Sequence, residues 1–218
     1  MIATIEIYGR NIAKQFKTAG FELPGVRGKT RIRLDDGTPM RLRPARHTDI
    51  DAVLAMHGRL SRTSLFFRYL RPYTPNRADM ESICRLGGQA GLALVATTTG
   101  RNPIVAGLAY LVMEKDRLTP TAEPAIVIED RFHGRGLGRR LFEQLCRLAR
   151  KKRVAVLHTY VHKDNRKMLR ILKRLEYSRM ETCHSSMVEV EIVLDPSASD
   201  WLPLELAGFG SRSGAACS

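Results

Sequence analysis

Three glycines spaced two apart, Gly134, Gly136 and Gly138, lie in a stretch from Glu123 to Arg140 that reads EPAIVIEDRFHGRGLGRR. Ala125-Ile126-Val127-Ile128 has the β-branched, apolar character of a strand, Glu129-Asp130 makes an acidic corner, and a helical pattern begins after the glycines. Strand, glycine loop and helix in that order can build a phosphate site. The first turn of a helix leaves N–H groups without intrahelical partners and carries the positive end of the macrodipole. Glycine lets an anion approach them closely. A dinucleotide fingerprint starting at Gly134 would need glycine at Arg139, and one starting at Gly136 would need it at Leu141. A P-loop would need Gly-Lys-Ser/Thr where Gly134 is followed by Arg139-Arg140. A different phosphate loop, or a glycine-rich turn with no ligand, is what remains.

Charge points the same way. The chain carries a formal net charge of +14, and fifteen basic residues against two acidic ones, Glu143 and Asp164, fall between Arg131 and Arg174. A field of this sign suits a polyanion, whether a nucleotide cofactor, nucleic acid or an acidic protein surface, although part of it is solvated helix face. The basic residues have no interleaved aromatics of the kind that bind single strands. Cys84, Cys146, Cys183 and Cys217 are scattered without C-x-x-C spacing, which argues against a disulfide framework or zinc knuckle. Met1 to Ala13 lacks the order of a signal peptide, and the longest apolar run, Ile104 to Met113, is too short to span a bilayer. The expectation is a soluble cytoplasmic protein with no membrane partner.

At 218 residues the chain suits one domain with extensions. Residues 1–38 read as an N-terminal extension, turn-rich from Gly20 to Gly37, and residues 195–218, rich in Ser, Gly and Pro, as a flexible tail. Between them, Met40 to Pro44 alternates as a first strand. A helix follows with Thr48 as its cap and Ile50, Val53, Leu54, His57 and Leu60 at helical spacing. Ser61 to Tyr69 continues as a second helical piece, ended by Arg71-Pro72. Leu92 to Thr98 and Ile104 to Met113 read as an antiparallel hairpin. The glycine-loop strand comes next, then a helix over 137–152 with the stripe Leu141, Leu145, Leu148 and Ala149. Val154 to Val161 is a central strand, Asp164 or Asn165 caps another helix, and Met187 to Leu194 closes the set. Helices cross between strands only in the second half, so the fold class is α/β (α+β) with a mixed sheet.

His133-Gly134-Arg135-Gly136-Leu137-Gly138 resembles the Gln/Arg-x-x-Gly-x-Gly/Ala signature of the GNAT superfamily of acyl-CoA-dependent N-acetyltransferases, with His133 where Gln or Arg is usual. Asn165 to Leu169 with Leu175-Glu176-Tyr177 is similar to that family's closing block, and the likeness covers roughly residues 39–194. The resemblance implies a GNAT fold, its sheet splayed at the acyl-CoA site and flanked by helices. It also implies acetyl-CoA or another acyl-CoA as co-substrate. The backbone of Gly134, Arg135, Gly136, Leu137, Gly138 and Arg139 would hold the pyrophosphate, the strand Ile126, Val127, Ile128 the pantetheine arm, and Asn165 would stand near the cofactor. His133 would either touch a phosphate or act as a side-chain cap. Ser61 to Tyr69 is similar to a segment of the bacterial protein-lysine acetyltransferase branch, in which a glutamate ten residues before the signature is the catalytic base. Glu123, in Ala122-Glu123-Pro124-Ala125, holds that position.

The resemblance has departures. Many members carry a tyrosine seven residues after the asparagine as general acid, and here that residue is Leu172, which leaves Tyr177 and Tyr160 as weaker candidates. His158 and His162, on one face of a strand, lie about 13 Å apart at strand rise, too far to chelate one metal, so no metal site is assigned. Three functions stay open: acetylation of protein lysines, acetylation of a small amine, and non-catalytic binding of acyl-CoA or a polyanion such as nucleic acid. A homo-oligomer is compatible with each.

Overall fold

The computed structural model describes residues 30–115, 117–175, 178–183 and 186–195. Its centre is an eight-stranded mixed sheet in the order β1-β2-β3-β4-β5-β6-β8-β7. The strands are β1 (Thr30–Arg33), β2 (Pro39–Pro44), β3 (Gly91–Thr98), β4 (Val105–Met113), β5 (Thr121–Ile128), β6 (Val156–His162), β7 (Ser178–Cys183) and β8 (Met187–Val193). Every neighbouring pair is antiparallel except β5 and β6. The helices are α1 (Ile50–His57), α2 (Arg62–Tyr69), α3 (Arg77–Cys84), α4 (Leu137–Lys151) and α5 (Arg166–Leu172).

Both faces of β3 and β4 are covered, which is why these strands read as continuous apolar runs. Leu92, Leu94 and Ala96 join the core beneath α4, where Leu137, Leu141, Phe142 and Leu145 are fully buried. Ala93 and Val95 point the other way, into a second core with Val53 and Met56 of α1 and Met80 and Ile83 of α3.

Three elements depart from the sequence reading. β1 lies in the segment read as turn-rich extension and pairs with β2 at the sheet edge. α3 and β7 were not anticipated. α3 carries its own signal, a capping box in which Asn76 accepts from the Asp79 N–H at 3.0 Å and Asp79 accepts from the Asn76 N–H at 3.2 Å. Thr48 is not the cap of α1. The Asp49 carboxylate instead accepts the Arg46 N–H at 2.8 Å and a bidentate pair from Arg43, both at 2.6 Å, which ties the helix start to β2.

The acidic corner after β5 fixes α2. Glu129, 3 % exposed, accepts from Arg59 at 2.9 and 3.0 Å. Asp130 accepts from the Ser61 N–H, the Ser61 hydroxyl and the Ser64 hydroxyl at 2.9, 2.7 and 2.8 Å. Ser61 in turn caps α2 through the Ser64 N–H. Asp130→Ala removes three hydrogen bonds and should cost about 1–3 kcal/mol in denaturant unfolding. Early proteolysis between Ser61 and Pro72 would show that α2 is the element released.

Candidate active site

β5 and β6 pair only at Thr121↔Val156 and Ala122↔Leu157, although both strands continue for several residues. The next position but one on β5 is Pro124, which has no N–H to offer a ladder. Beyond it the strands part and leave an edge open inside the sheet. Which groups that edge presents follows from the antiparallel alternation against β4. The Glu114 N–H donates to the Thr121 carbonyl and the Glu129 N–H to the Ala106 carbonyl, both at 2.9 Å, so the odd-numbered residues of β5 face β4. Even-numbered residues face β6, as the Ala155 N–H to Pro120 carbonyl bond of 2.8 Å shows. Ile126 and Ile128 therefore turn their N–H groups into the opening. Val127 does not: its polar groups bond to β4, and its side chain sits in the α1–α3 core.

The opening is the wall of a groove of about 1740 Å³. At one end stands the glycine loop. Gly134 and Gly136 have φ of +70° and +81°, conformations that L residues rarely adopt, and a Cβ on Gly136 would fall 2.6 Å from the Asp35 carboxylate oxygens. α4 starts at once from Gly136 with no side-chain cap and no acidic residue in its first turn. Among the described residues nothing accepts from the N–H groups of Leu137, Gly138 and Arg139, which suits an anion. The turn between β1 and β2 braces the loop from behind. The Asp35 N–H donates to the Arg135 carbonyl at 3.1 Å, while the Arg135 guanidinium bonds Asp36 and the Thr38 hydroxyl. The Arg135 side chain is thus committed to that turn, and only its backbone belongs to the loop.

His133 is engaged at both ring nitrogens. Nε2–H donates to the Ile128 carbonyl at 2.8 Å, and Nδ1 accepts from the Lys167 ammonium at 2.9 Å. It caps the last open carbonyl of β5 and links the loop to α5. The Asn165 side chain caps α5 through the Met168 N–H at 3.2 Å and lies on the groove, as do Arg139, Arg166, Lys167 and Arg170. Leu172 is fully buried in the core and does not line it. Tyr160 does, and donates to Glu189 at 2.9 Å. Tyr177 lies outside the described residues.

At the other end, where the strands part, stands Glu123. It pairs with Val112 on β4, so Tyr110 is its diagonal neighbour on the same face of the sheet. Arg68 reaches over from α2, donates to the Tyr110 hydroxyl, and lies 4.8 Å from the Tyr69 ring centroid and 5.1 Å from that of Tyr110. On the β6 side, His158 is the register neighbour one step past Ala122↔Leu157. Its Nε2 is 2.7 Å from Glu189 and its Nδ1 3.4 Å from Glu114. Burial raises the Glu123 carboxyl above the ordinary carboxylate value, with Arg68 opposing that rise. The Glu114 hydrogen bond, seconded by Glu189, raises His158 above the ordinary histidine value. Among the described residues the Glu123 carboxylate accepts no hydrogen bond, so its lone pairs face the groove. Cys84 and Cys146 are buried in the cores, and burial pushes each thiol up to about 12, so neither is a ready nucleophile. No group of three metal-binding side chains occurs among the described residues, and none of their helices is long and apolar enough to cross a membrane. Tyr110, Glu114 and Glu189 carried no signal of a site in the sequence, and Arg68 none beyond its place in the Ser61 to Tyr69 segment.

A profile described as "Acetyltransferase (GNAT) domain" matches residues 40–178. The chain belongs to the GNAT acetyltransferase family. It is accordingly an acyl-CoA-dependent N-acetyltransferase with the mixed, helix-flanked GNAT sheet. Solved structures agree on the fold. The GNAT domain of S. lividans PAT superposes with a TM-score of 0.68 at 21 % identity, over 76 % of this chain and 96 % of that one. A putative phosphinothricin N-acetyltransferase gives 0.58 at 20 %, over 72 % and 99 %. The cAMP-binding acyltransferase from Mycobacterium smegmatis gives 0.54 at 22 %, over 93 % of this chain and 55 % of that one, so this GNAT chain spans about half that protein's length. If the GNAT loop holds the donor through its backbone, Gly136→Ala, strained in φ and crowded by Asp35, should weaken acetyl-CoA binding at least about tenfold in calorimetry, roughly 1.4 kcal/mol.

Proposed function

We propose that this GNAT enzyme acetylates lysine side chains of proteins by direct transfer from acetyl-CoA, with Glu123 as general base. The observation that carries the reading is the Glu123 carboxylate itself. It stands without a hydrogen-bond partner among the described residues, at the point where β5 leaves β6, on the same groove as the glycine loop. A lysine ammonium with a pKa of about 10.4 must lose a proton before its nitrogen can attack. A carboxylate whose own pKa is raised by burial is a better match for that task than an exposed one.

Acetyl-CoA supplies the acyl group as a thioester. The loop amides of residues 134–139 and the first turn of α4 hold its phosphates, and Asn165 and the basic side chains of α5 stand beside them. The inward N–H groups of Ile126 and Ile128 hold the pantetheine arm, and that of Ile126, the nearer to Glu123 along β5, polarises the reacting carbonyl. No covalent enzyme intermediate is required, in keeping with the buried thiols of Cys84 and Cys146. The thiolate of the departing CoA is not strongly basic and takes its proton from water, because the position usual for a tyrosine acid is the buried Leu172.

A protein acceptor is favoured by the rim. Phe66, 41 % exposed, and Phe67 pack against His162 with ring centroids 5.6 and 5.8 Å apart, an apolar lip suited to the methylenes of a lysine. This lip belongs to the segment similar to the lysine acetyltransferase branch.

Incubation of the protein with labelled acetyl-CoA and a cell extract should put label on macromolecules, identified as acetyl-lysine. Label confined to small molecules would move the acceptor to a small amine. Glu123→Gln should lower kcat by about 10²–10⁴-fold, and turnover at the wild-type rate would remove Glu123 as base. The pH dependence has a fixed sign. Activity falls as pH drops through the Glu123 pKa, so the acid limb should lie above the usual carboxylate range. A carboxyl with a raised folded pKa destabilises the fold at pH values above it. Glu123→Gln should therefore melt at a higher temperature than wild type at neutral pH, with the gap closing as pH falls.

A further inference from the structure

We propose that Arg68 and His158 are positioning residues for Glu123, two fixed cations brought from α2 and β6 that flank the carboxylate and keep it charged and aimed into the groove. The proposal rests on the reading of Glu123 as base and adds the groups that make a buried carboxylate usable.

The geometry on the α2 side is closed on all but one face. Arg68 is held by its hydrogen bond to the Tyr110 hydroxyl and by the Tyr69 and Tyr110 rings, 4.8 and 5.1 Å from its guanidinium carbon. Tyr69 is fixed in turn by His57, whose Nε2 lies 3.0 Å from its hydroxyl, and by Tyr73, with ring centroids 4.3 Å apart. The Tyr73 hydroxyl donates to Asp79 of α3. Tyr110 and Glu123 are diagonal neighbours on one face of β4 and β5, so a guanidinium seated on Tyr110 is directed towards Glu123. The two groups interact electrostatically. No acidic side chain forms an ion pair with Arg68 among the described residues, which leaves its charge for Glu123.

The β6 side differs in that its cation is paired with acids. His158 follows the last β5–β6 residue pair and faces carboxylates at both ring nitrogens. Only the doubly protonated ring can donate to both, so Glu114 of β4's extension and Glu189 of β8 hold it as imidazolium. Arg117 shares Glu114 at 2.8 Å and Tyr160 shares Glu189 at 2.9 Å, which keeps both acids in place. Around Glu123, then, stand Arg68 from α2, Tyr110 and Glu114 from β4 and its end and His158 from β6; Tyr69, Glu189 and Tyr160 surround those groups in turn, and Asp79 lies beyond Tyr73. Arg68 and the His158 imidazolium oppose the effect of burial on Glu123 while Glu114 adds to it, Arg68 being the larger opposing charge, and the two cations come from different walls of the groove. Burial favours the protonated carboxyl, and a protonated acid cannot accept the amine proton. The cations oppose that without forming a direct salt bridge that would occupy the lone pairs.

The test reads the carboxyl itself, in the full chain and without any acceptor. Glutamate δ-carbon resonances are followed by NMR from pH 4 to 9, with Glu123→Gln identifying the Glu123 signal. Arg68→Met and His158→Gln should each raise the Glu123 midpoint by about one pH unit or more, and Arg68→Lys, which keeps the charge, should recover most of the shift. A midpoint that stays put in both neutral variants overturns the proposal, as does an equal shift in Arg68→Lys and Arg68→Met, which would mark loss of packing rather than of charge. Should Arg68→Met fail to fold, His158→Gln decides alone by the same criterion. The titration is independent of the labelled-transfer assay, so a failure of Glu123 as base and a failure of the flanking cations give different results.

Discussion

Strands β5 and β6 share two residue pairs and then separate, and the site follows from that separation. A parallel pair inside a sheet normally spends its N–H and C=O groups on each other. Here the ladder stops at Ala122 and Leu157, and Pro124 cannot prolong it on the β5 side. The sheet tolerates the open edge because both strands are secured on their outer flanks, β5 by β4 over seven residue pairs and β6 by β8 over another seven. The result is a slot of polar backbone in the middle of an otherwise closed sheet, with a helix N-terminus at one end and a carboxylate at the other. On the proposed reading the donor's phosphates, its pantetheine arm and the acceptor amine meet those three features in that order.

Charge is distributed along the slot with the same economy. The glycine-loop end is basic through Arg139, Arg166, Lys167 and Arg170, matching phosphates. The Glu123 end mixes acids with Arg68 and His158, and on the proposed reading these two oppose the effect of burial on the carboxylate. Between them the surrounding elements act as braces. The β1–β2 turn backs the loop through Arg135, His133 ties the loop to β5 and α5, and the Glu129–Asp130 corner ties α2 to the end of β5. The long excess of basic residues that stands out in the sequence therefore divides into side chains on the groove, such as Arg139, and side chains spent on structure, such as Arg135.

Much of this was legible in the amino-acid sequence. The hairpin β3–β4, the strand–loop–helix at 125–151, the helical piece from Ser61 and a cap at Asp164 or Asn165 all rest on local periodicity and turn chemistry, which one sequence displays. β1 and β7 were hidden because each is an edge strand of four or six residues whose pairing partner, more than its own pattern, makes it a strand. α3 was hidden because its apolar residues Met80, Ile83 and Cys84 span only two turns. In the site, the glycine loop could be read because its chemistry is contiguous. The company of Glu123 could not. Arg68, Tyr110, His158 and Glu189 meet it only through sheet register and the seat of α2, and no spacing along the chain encodes those contacts.

Amide hydrogen exchange at β5 tests the central claim most directly, because the claim is about three consecutive N–H groups. In the free protein the Val127 amide should exchange slowly, locked to β4, while those of Ile126 and Ile128 exchange fast. Addition of acetyl-CoA should slow Ile126 and Ile128 by about tenfold or more and leave Val127 as it was. Slow exchange at Ile126 without the donor, or fast exchange there with the donor bound, would mean that the edge between β5 and β6 is not where the cofactor lies.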